Sequence, residues 1–271
     1  MTSCAYIAVH GGAGIHSAKR DKEVKTALKS ACTAALSYGL DNSRLTSGDD
    51  HTAHTEEITS LRMVEEAICV LENDECLNAG HGSSLTLDGT VECDASIIAH
   101  INRPGDSRFQ PHSLSSANSG LFGSIGAVSG VKNPIKLARC ILDHSRVPDK
   151  LGRVPPLTLA STGAHKFATA HGIETVPPDA LITPRATAQW KTWTRRLALS
   201  ESDANDTIPT PAHLRGVGPK VENPEDDEDE EGAESLMQDT VGAAAFCGGT
   251  MAAGVSRYIL FVSHSWGHTE R

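Results

Sequence analysis

An acidic tract near the C-terminal end most constrains how this chain can fold. Residues 221–239 contain ten Asp or Glu residues and no Lys or Arg. Such a segment cannot bury enough apolar surface to offset the entropy lost on ordering it, so we expect it to lie outside any core. We therefore divide the chain into a body at 1–200, a flexible linker at 201–239 and a C-terminal segment at 240–271.

The charge balance narrows the class of partner. The chain has 34 acidic and 24 basic residues, a formal net charge of −10. The whole excess lies in the tract, because the other 24 acidic residues equal the Lys and Arg residues in number. A neutral body has no basic surface for phosphates, so we predict no nucleic-acid partner.

Other sequence patterns predict the compartment and argue against a metal. No apolar run approaches the roughly 18 residues of a membrane span, and the N-terminus lacks the pattern of a secretory signal. The seven cysteines are scattered without C-x-x-C spacing, which is typical of free thiols in a reducing compartment. With 13 histidines in the chain, neighbours such as His51 and His54 are expected by chance. We predict no membrane partner, no metal, and a location in the cytoplasm or nucleus.

Hydrophobic periodicity predicts an α/β protein. Strand patterns cover 5–9, 85–87, 91–98, 125–129 and 157–160, and helical patterns cover 22–38, 56–72, 133–142, 163–170 and 183–197. Asn133 and Pro134 have the residue types of an N-cap and a first helical position. Two small-residue runs, 240–246 and 250–256, are joined by Cys247-Gly248-Gly249 and predict a buried hairpin. Strands and helices together indicate sheets covered by helices.

Thr240 is the candidate catalytic residue, since it stands where the linker meets a strand. A threonine hydroxyl is a poor nucleophile at neutral pH, but an N-terminal threonine can use its own α-amino group as the base. That amine has an ordinary pKa of about 7.7–8.0, which suits a general base. Cleavage between Asp239 and Thr240 would create this terminus. The alternative is that Thr240 merely begins a strand, where threonine is common.

A glycine-rich turn, His10-Gly11-Gly12-Ala13-Gly14, follows the first strand. Its glycines allow the backbone to turn sharply and to approach a ligand or another strand closely. A dinucleotide loop is the alternative, but the third glycine of that motif and a later ribose-binding acid are missing. We predict no redox cofactor.

Several ordered motifs resemble the threonine aspartases (taspases), in the plant-type asparaginase branch of the N-terminal nucleophile hydrolases. The matching segments are His10–Gly14, Asn78–Ser83, Glu92–Ile97, Gly126–Pro134, Gly152–Pro156 and Gln238–Ala243. The Glu92–Ser96 segment and the long stretch before Thr240 favour taspases over simple asparaginases.

The resemblance implies a four-layer sandwich of helices, two sheets and helices, incomplete here at the C-terminus. It also implies a precursor that cuts itself between Asp239 and Thr240, and then cuts protein substrates after aspartate. The partners would be a protein or peptide substrate, and the α and β subunits from one precursor or a dimer of such pairs. By the same resemblance, Gly12 and Asn78 lie near the substrate. The alternatives are an isoaspartyl peptidase or L-asparaginase of the same fold and an inactive truncated homologue.

The chain departs from the family pattern after Ser256. Family members continue there with a second small hydroxyl residue, a Gly-Gly pair and a long second subunit, whereas this chain has Arg257 and then Tyr258–Phe261. The substrate-clamping Arg and Asp of the family have no counterpart that can be mapped. We therefore expect a second subunit that is truncated.

Overall fold

One mixed sheet with helices on one of its faces forms the framework of the protein. The computed structural model describes residues 4–12, 18–42, 59–100, 120–147, 151–206 and 240–258. The strands are β1 (Ala5–His10), β2 (Cys93–His100), β3 (Gly120–Val128), β4 (Thr158–Ala160), β5 (Val241–Cys247) and β6 (Thr250–Tyr258). The helices are α1 (Ala18–Asn42), α2 (Thr59–Glu72), α3 (Pro134–Ser145), α4 (Ser161–Ala170) and α5 (Pro184–Asp206).

The C-terminal hairpin lies inside this sheet, where it supplies the second and third strands. The strand order is β1-β5-β6-β2-β3-β4, in which β4 runs parallel to β3 and every other pair is antiparallel. The hairpin β5–β6 thus separates β1 from β2, although it lies more than 80 residues after β4 in the chain. The two stretches on either side of the acidic tract therefore share one sheet and one core.

Helix α2 packs closely on the hairpin because the hairpin residues under it are small. Its inner face carries Ala243, Ala245, Ala252 and Gly254, all of them buried. A Cβ atom added at Gly254 would lie 3.0 Å from both Val64 Cγ1 and Ile68 Cδ1. Any larger side chain would push the helix away from the strands.

The predicted α/β class and most predicted elements are confirmed, including the hairpin at 240–256. Residues 85–87 are an exception: they form no strand, and the segment is closed as a turn in which the Thr86 amide donates to the Thr90 carbonyl at 2.8 Å. Helix α5 begins after Thr183, whose hydroxyl accepts the Ala186 amide at 3.1 Å. It continues through Asp206, past the predicted linker boundary at 200.

The predicted linker beyond α5 and the predicted cleavage site fall outside the part of the chain that the structure describes. Residues 207–239, with Asp239 among them, lie outside the described residues. The described ranges contain one sheet with helices, which corresponds to the α/β half of the expected sandwich. In the same ranges, no helix combines the length and apolarity that crossing a membrane requires.

A buried carboxyl group, and not the predicted N-cap residue, satisfies the start of α3. Asn133 occupies the N-cap position but makes no side-chain cap bond. The Ile135 amide instead donates to Glu72 Oε1 at 2.9 Å, and Asn133 Nδ2 donates to Glu72 Oε2 at 3.1 Å. Glu72 ends α2, so one side chain joins two helices and accepts a donor that the first turn of a helix leaves free.

The Glu72 carboxyl binds its proton more tightly than an ordinary glutamate does. Complete burial raises the pKa of Glu72 to about 7, while its bonds from Ile135 and Asn133 and the nearby hydroxyl of Ser256 act in the opposite direction. Burial dominates because removing a carboxylate from water costs more than these neutral donors return. The folded protein therefore binds a proton here more tightly than the unfolded chain does.

We predict that Glu72→Gln makes folding less dependent on pH. A raised folded-state pKa contributes stability that is complete below the unfolded pKa near 4.5 and is lost as the pH rises through about 7. A shift of this size corresponds to a loss of about 3 kcal/mol for the wild type across that window. Gln stays neutral, so the unfolding free energy of the variant should lack this pH-dependent loss when urea unfolding is measured across the same pH range. Glu174→Gln, an exposed control, should follow the wild type; equal pH dependence in Glu72→Gln would contradict the assignment.

We predict that Gly254→Val destabilises the protein by about 1–3 kcal/mol, the usual cost of overpacking a core. The added methyl groups would meet Val64 and Ile68 on α2. Ala253→Val is the matched control, because Ala253 is on the opposite face of the same strand. Chemical denaturation of the two variants measures the difference, and equal unfolding free energies would show that the close approach of α2 does not matter.

Candidate active site

Thr240 stands at the start of the central hairpin and is half-buried. It directly precedes Val241, a fully buried residue of β5 that pairs with Ser256 of β6. Because β5 has a neighbouring strand on each side, its backbone is held by two ladders of hydrogen bonds. A residue at this point of the sheet is fixed in position far better than one in a loop.

Gly12 follows β1, the strand that neighbours β5. The β1–β5 register ends at the pair His10–Gly242, two residues before Gly12 in one strand and two residues after Thr240 in the other. Gly12 has a φ of +117°, a backbone conformation that side-chain-bearing residues rarely adopt. The chain therefore leaves the direction of β1 at this residue.

Two charged residues of opposite sign lie on the other side of Thr240. One further step of the β5–β6 register brings Arg257 opposite Thr240, and the β6–β2 register pairs Arg257 with Asp94. Asp94 Oδ1 also accepts the Ala127 amide at 2.9 Å, where Ala127 has a φ of +49°. Strand β6 thus continues past Ser256, and Arg257 Nε donates to the Tyr258 carbonyl at 3.1 Å.

His10 is a neighbour of the site that the sequence analysis did not single out. Its ring covers Gly242, since a Cβ atom at Gly242 would collide with His10 Nε2. Gly242 is the second residue of β5, two residues after Thr240, so the imidazole lies over the start of the strand that Thr240 precedes. The alternation of buried and exposed residues along β1 was the sequence signal for this orientation.

Asn78 lies in the loop after α2, next to the end of β6. Its Oδ1 accepts the Ser84 amide at 2.9 Å, which closes the loop around Gly80–Gly82. The buried hydroxyl of Tyr258 makes no hydrogen bond, although the Asn78 side chain is near enough to favour its ionised form. Burial outweighs this influence and raises the pKa of Tyr258. Among the described residues no hydrogen bond joins Asn78 to Thr240 directly.

Helix α5 holds the Asn78 loop in place through side chains that the sequence analysis did not assign to the site. Arg185 Nη2 donates to the carbonyls of Glu75 and Gly82, both at 2.8 Å. Trp190 Nε1 donates to the Leu87 carbonyl at 3.2 Å. Burial lowers the pKa of Arg185, as does the positive charge of nearby Arg20. These contacts join sequence-distant segments, so no local motif could reveal them.

Of the large apolar side chains at 190, 193 and 197 on α5, only the first packs on the core. Trp190 lies against the core and covers Gly89, whereas Trp193 faces Arg196, whose guanidinium carbon is 5.4 Å from the ring centre. Leu197 is exposed. Within the described ranges, no group of three or more His, Cys, Asp or Glu side chains could hold a metal ion.

A mixed sheet with helices on one face, in which an interior strand follows a threonine, is an arrangement found in the class of N-terminal nucleophile hydrolases. Within that class, the family model described as Asparaginase matches residues 3–257, which is most of the chain. The chain therefore belongs to the asparaginase family of hydrolases.

Individual relatives carry names from two branches of this family. The chain is 33% identical over 184 residues to an isoaspartyl peptidase/L-asparaginase of Xenopus laevis, covering 68% of this chain and 46% of the relative. It is 33% identical over 180 residues to a probable isoaspartyl peptidase/L-asparaginase 2 of Arabidopsis thaliana, covering 65% and 43%. A plant-type L-asparaginase of Pyrococcus abyssi is 29% identical over 251 residues, covering 92% and 62%. The matches span less than half of the animal and plant relatives.

We predict that Arg185→Ala loosens the Asn78 loop. Two carbonyls would lose a charged donor, which costs about 1.5–3 kcal/mol for bonds of this kind. Hydrogen exchange should accelerate at the Ser84 amide, which donates a hydrogen bond to Asn78 Oδ1. Thermal unfolding should also begin at a lower temperature. Arg195→Ala, on an exposed part of the same helix, is the control. Unchanged exchange at residues 75–84 in Arg185→Ala would contradict the role of Arg185.

Proposed function

We propose that this protein is an N-terminal threonine hydrolase of the isoaspartyl peptidase/L-asparaginase type. The observation that carries the proposal is the position of Thr240, directly before the interior strand β5, whose neighbour β1 leads into the turn at Gly12. The names of the relatives support this substrate class, since they are isoaspartyl peptidases and asparaginases.

The first step would be cleavage of the chain itself. Thr240 Oγ1 attacks the carbonyl carbon of Asp239, the bond from that carbon to the Thr240 nitrogen breaks, and the nitrogen takes up a proton. The acyl group is then held as an ester, which water hydrolyses to give the Asp239 carboxylate and a free Thr240. A neighbouring strand on either side helps this step, because the hydroxyl is fixed close to its target.

The second step would use the new terminus on an external amide. The α-amino group of Thr240 accepts the hydroxyl proton, and Oγ1 attacks the side-chain carbonyl of an aspartyl amide. Ammonia or a peptide amine leaves with that proton, and water hydrolyses the ester. We assign the backbone amides near Gly12 and the side chain of Asn78 to binding the substrate around the oxygen that becomes negatively charged. One donor to such an oxygen contributes about 10²–10³-fold in rate.

A taspase-like endopeptidase that cuts protein chains after aspartate is the second candidate. Helix α5 and the residues that follow it favour this candidate, because they form the kind of long segment before the threonine that distinguishes taspases. The Glu92–Ser96 motif also favours it, and Asp94 of that motif lies in the same cross-strand row as Thr240. The two candidates share the nucleophile and differ in which carbonyl of the aspartyl residue it attacks. The isoaspartyl peptidase/L-asparaginase attacks the side-chain carbonyl, and the endopeptidase attacks the main-chain carbonyl.

We predict that the purified chain releases a fragment of residues 240–271 and that Thr240→Ala does not. Intact-mass analysis under native conditions measures this directly. Thr240→Ser keeps a hydroxyl and should still cut, which separates loss of the nucleophile from misfolding. Hydrolysis by the alanine variant should fall by about 10⁴-fold or more, as for other catalytic nucleophiles. A wild-type chain that stays at one mass for days contradicts the proposal.

Substrates then decide between the two candidates. The cleaved protein is offered L-asparagine, a β-aspartyl dipeptide and a peptide with an internal aspartate. Release of ammonia or of the dipeptide's amino acid supports the isoaspartyl peptidase/L-asparaginase assignment. Cleavage of the peptide alone, after its aspartate, supports the endopeptidase.

A further inference from the structure

Two histidines and a phenylalanine form a cluster of rings where the C-terminal ends of α3 and α4 meet. His144 is in the last turn of α3, and His171 directly follows the last residue of α4. The centres of the two imidazole rings lie 5.4 Å apart, and both rings contact Phe167, at 5.3 Å and 3.8 Å. Both histidines are exposed, so an ion in solution can reach them. No sequence motif indicates this pair, because only the fold brings the two residues together.

A hydrogen bond to the backbone fixes the orientation of the His171 ring. Its Nδ1 lies 2.9 Å from the Phe167 carbonyl oxygen. Since a carbonyl oxygen can only accept, Nδ1 carries the proton, and Nε2 of the neutral ring has a free lone pair. The ring is also stacked on Phe167, with an angle of 21° between the two planes. Histidines that bind metals are commonly oriented in this way, by a hydrogen bond from the other ring nitrogen to a carbonyl group.

The distance between the two imidazoles suits two ligands of one ion. A metal–nitrogen bond of about 2.0–2.1 Å places an ion about 3.2 Å from each ring centre, and a tetrahedral angle then separates the ring centres by about 5.2 Å. The 5.4 Å between His144 and His171 is close to this value. The two imidazoles are not stacked on each other, because their planes lie 80° apart.

The ends of the two helices favour a positive charge at this place. The last carbonyl groups of a helix carry partial negative charge, and α3 and α4 both end beside the ring cluster. Asp143, which precedes His144, is already paired with Arg139 Nε at 2.8 Å and with Arg146 Nη1 at 3.5 Å. We therefore do not count its carboxylate as a ligand.

Cys140 is the other side chain on α3 with a ligand atom near His144, four residues before it on the same helix. Burial raises the pKa of the Cys140 thiol, whereas a thiol must lose its proton to bind a metal. Across the residues that the structure describes, no group of three ligand side chains is present. The site therefore has two protein ligands and leaves the other positions to water.

We propose that His144 and His171 together bind one divalent transition-metal ion of the Zn²⁺ type. Imidazole nitrogen is a ligand that Zn²⁺, Ni²⁺ and Cu²⁺ share, whereas Mg²⁺ prefers oxygen. The ion would tie the end of α4 to the end of α3 and so stabilise the edge of the sheet at β4, the strand that α4 follows. Three strands separate β4 from β5, so the site is distinct from the one at Thr240 and goes beyond the proposed function.

The experiment is a calorimetric titration of the full chain with ZnCl₂, with Thr240→Ala as the parent protein so that self-cleavage creates no new amino terminus. We expect a Zn²⁺-binding step that MgCl₂ does not reproduce. His144→Ala and, separately, His171→Ala should each weaken this step at least about tenfold, since losing a group that only orients a ligand already costs about 10–100-fold. His100→Ala removes an exposed histidine at the end of β2 and is the matched control, which should bind Zn²⁺ as the parent does.

Hydrogen exchange then locates the ion. Zn²⁺ should slow amide exchange at residues 165–171 in the parent protein and in His100→Ala, but not in the two cluster variants, because binding to the folded state stabilises it. Circular dichroism checks that each variant is folded. A parent protein that binds no Zn²⁺ overturns the proposal and leaves the rings as a packing cluster only. Zn²⁺ binding that both folded cluster variants retain unchanged overturns it as well, because the ion is then bound elsewhere.

Discussion

The structure depends on the close contact between helix α2 and the hairpin β5–β6. A Cβ atom at Gly254 would lie 3.0 Å from two α2 side chains, so the helix sits directly on the backbone of the strands. This contact ties a segment from the end of the chain into a core made by its first 200 residues. Without it, only the strand pairings of β5 with β1 and of β6 with β2 would hold the hairpin in the sheet.

The interior position of the hairpin also decides which polar groups are neighbours. Arg257 pairs with Asp94 because β6 lies next to β2, and Thr240 and Gly12 are at the ends of the neighbouring strands β5 and β1. Asn78 approaches the same end of the sheet on a loop that Arg185 and Trp190 hold from outside. The strands of the sheet and helix α5 thus both position residues at this end of the sheet.

The sequence was informative where a structure depends on neighbours along the chain. The periodicity of 59–72 and 134–145, the hairpin and the α/β class could all be predicted, since each reflects local burial. The matching motifs also led to the family, although their likeness to taspases is finer than the family match supports. Local patterns could also single out Gly12 and Thr240 as candidate site residues, because a glycine-rich turn and the start of a strand have recognisable residue types.

Long-range pairings could not be predicted in this way. Asn133 has the residue type of an N-cap, but Glu72, more than 60 residues earlier, takes over the role from the end of another helix. The same holds for Arg185, whose partners at Glu75 and Gly82 are fixed only by the fold. The order of strands decides that Arg257 lies beside Thr240, and no pattern within 240–258 contains that order.

The turn between the hairpin strands has a consequence for how this protein can change in length. Gly248 and Gly249 both have positive φ values, +58° and +78°, as a tight two-residue turn requires. Because successive side chains of a strand point to opposite faces, inserting or deleting one residue here would exchange the faces of one strand relative to the other. Arg257 would turn towards the helices and Ser256 towards the face opposite the helices. Descendants of this sequence should therefore vary the hairpin by two residues at a time, or accommodate a single change as a bulge.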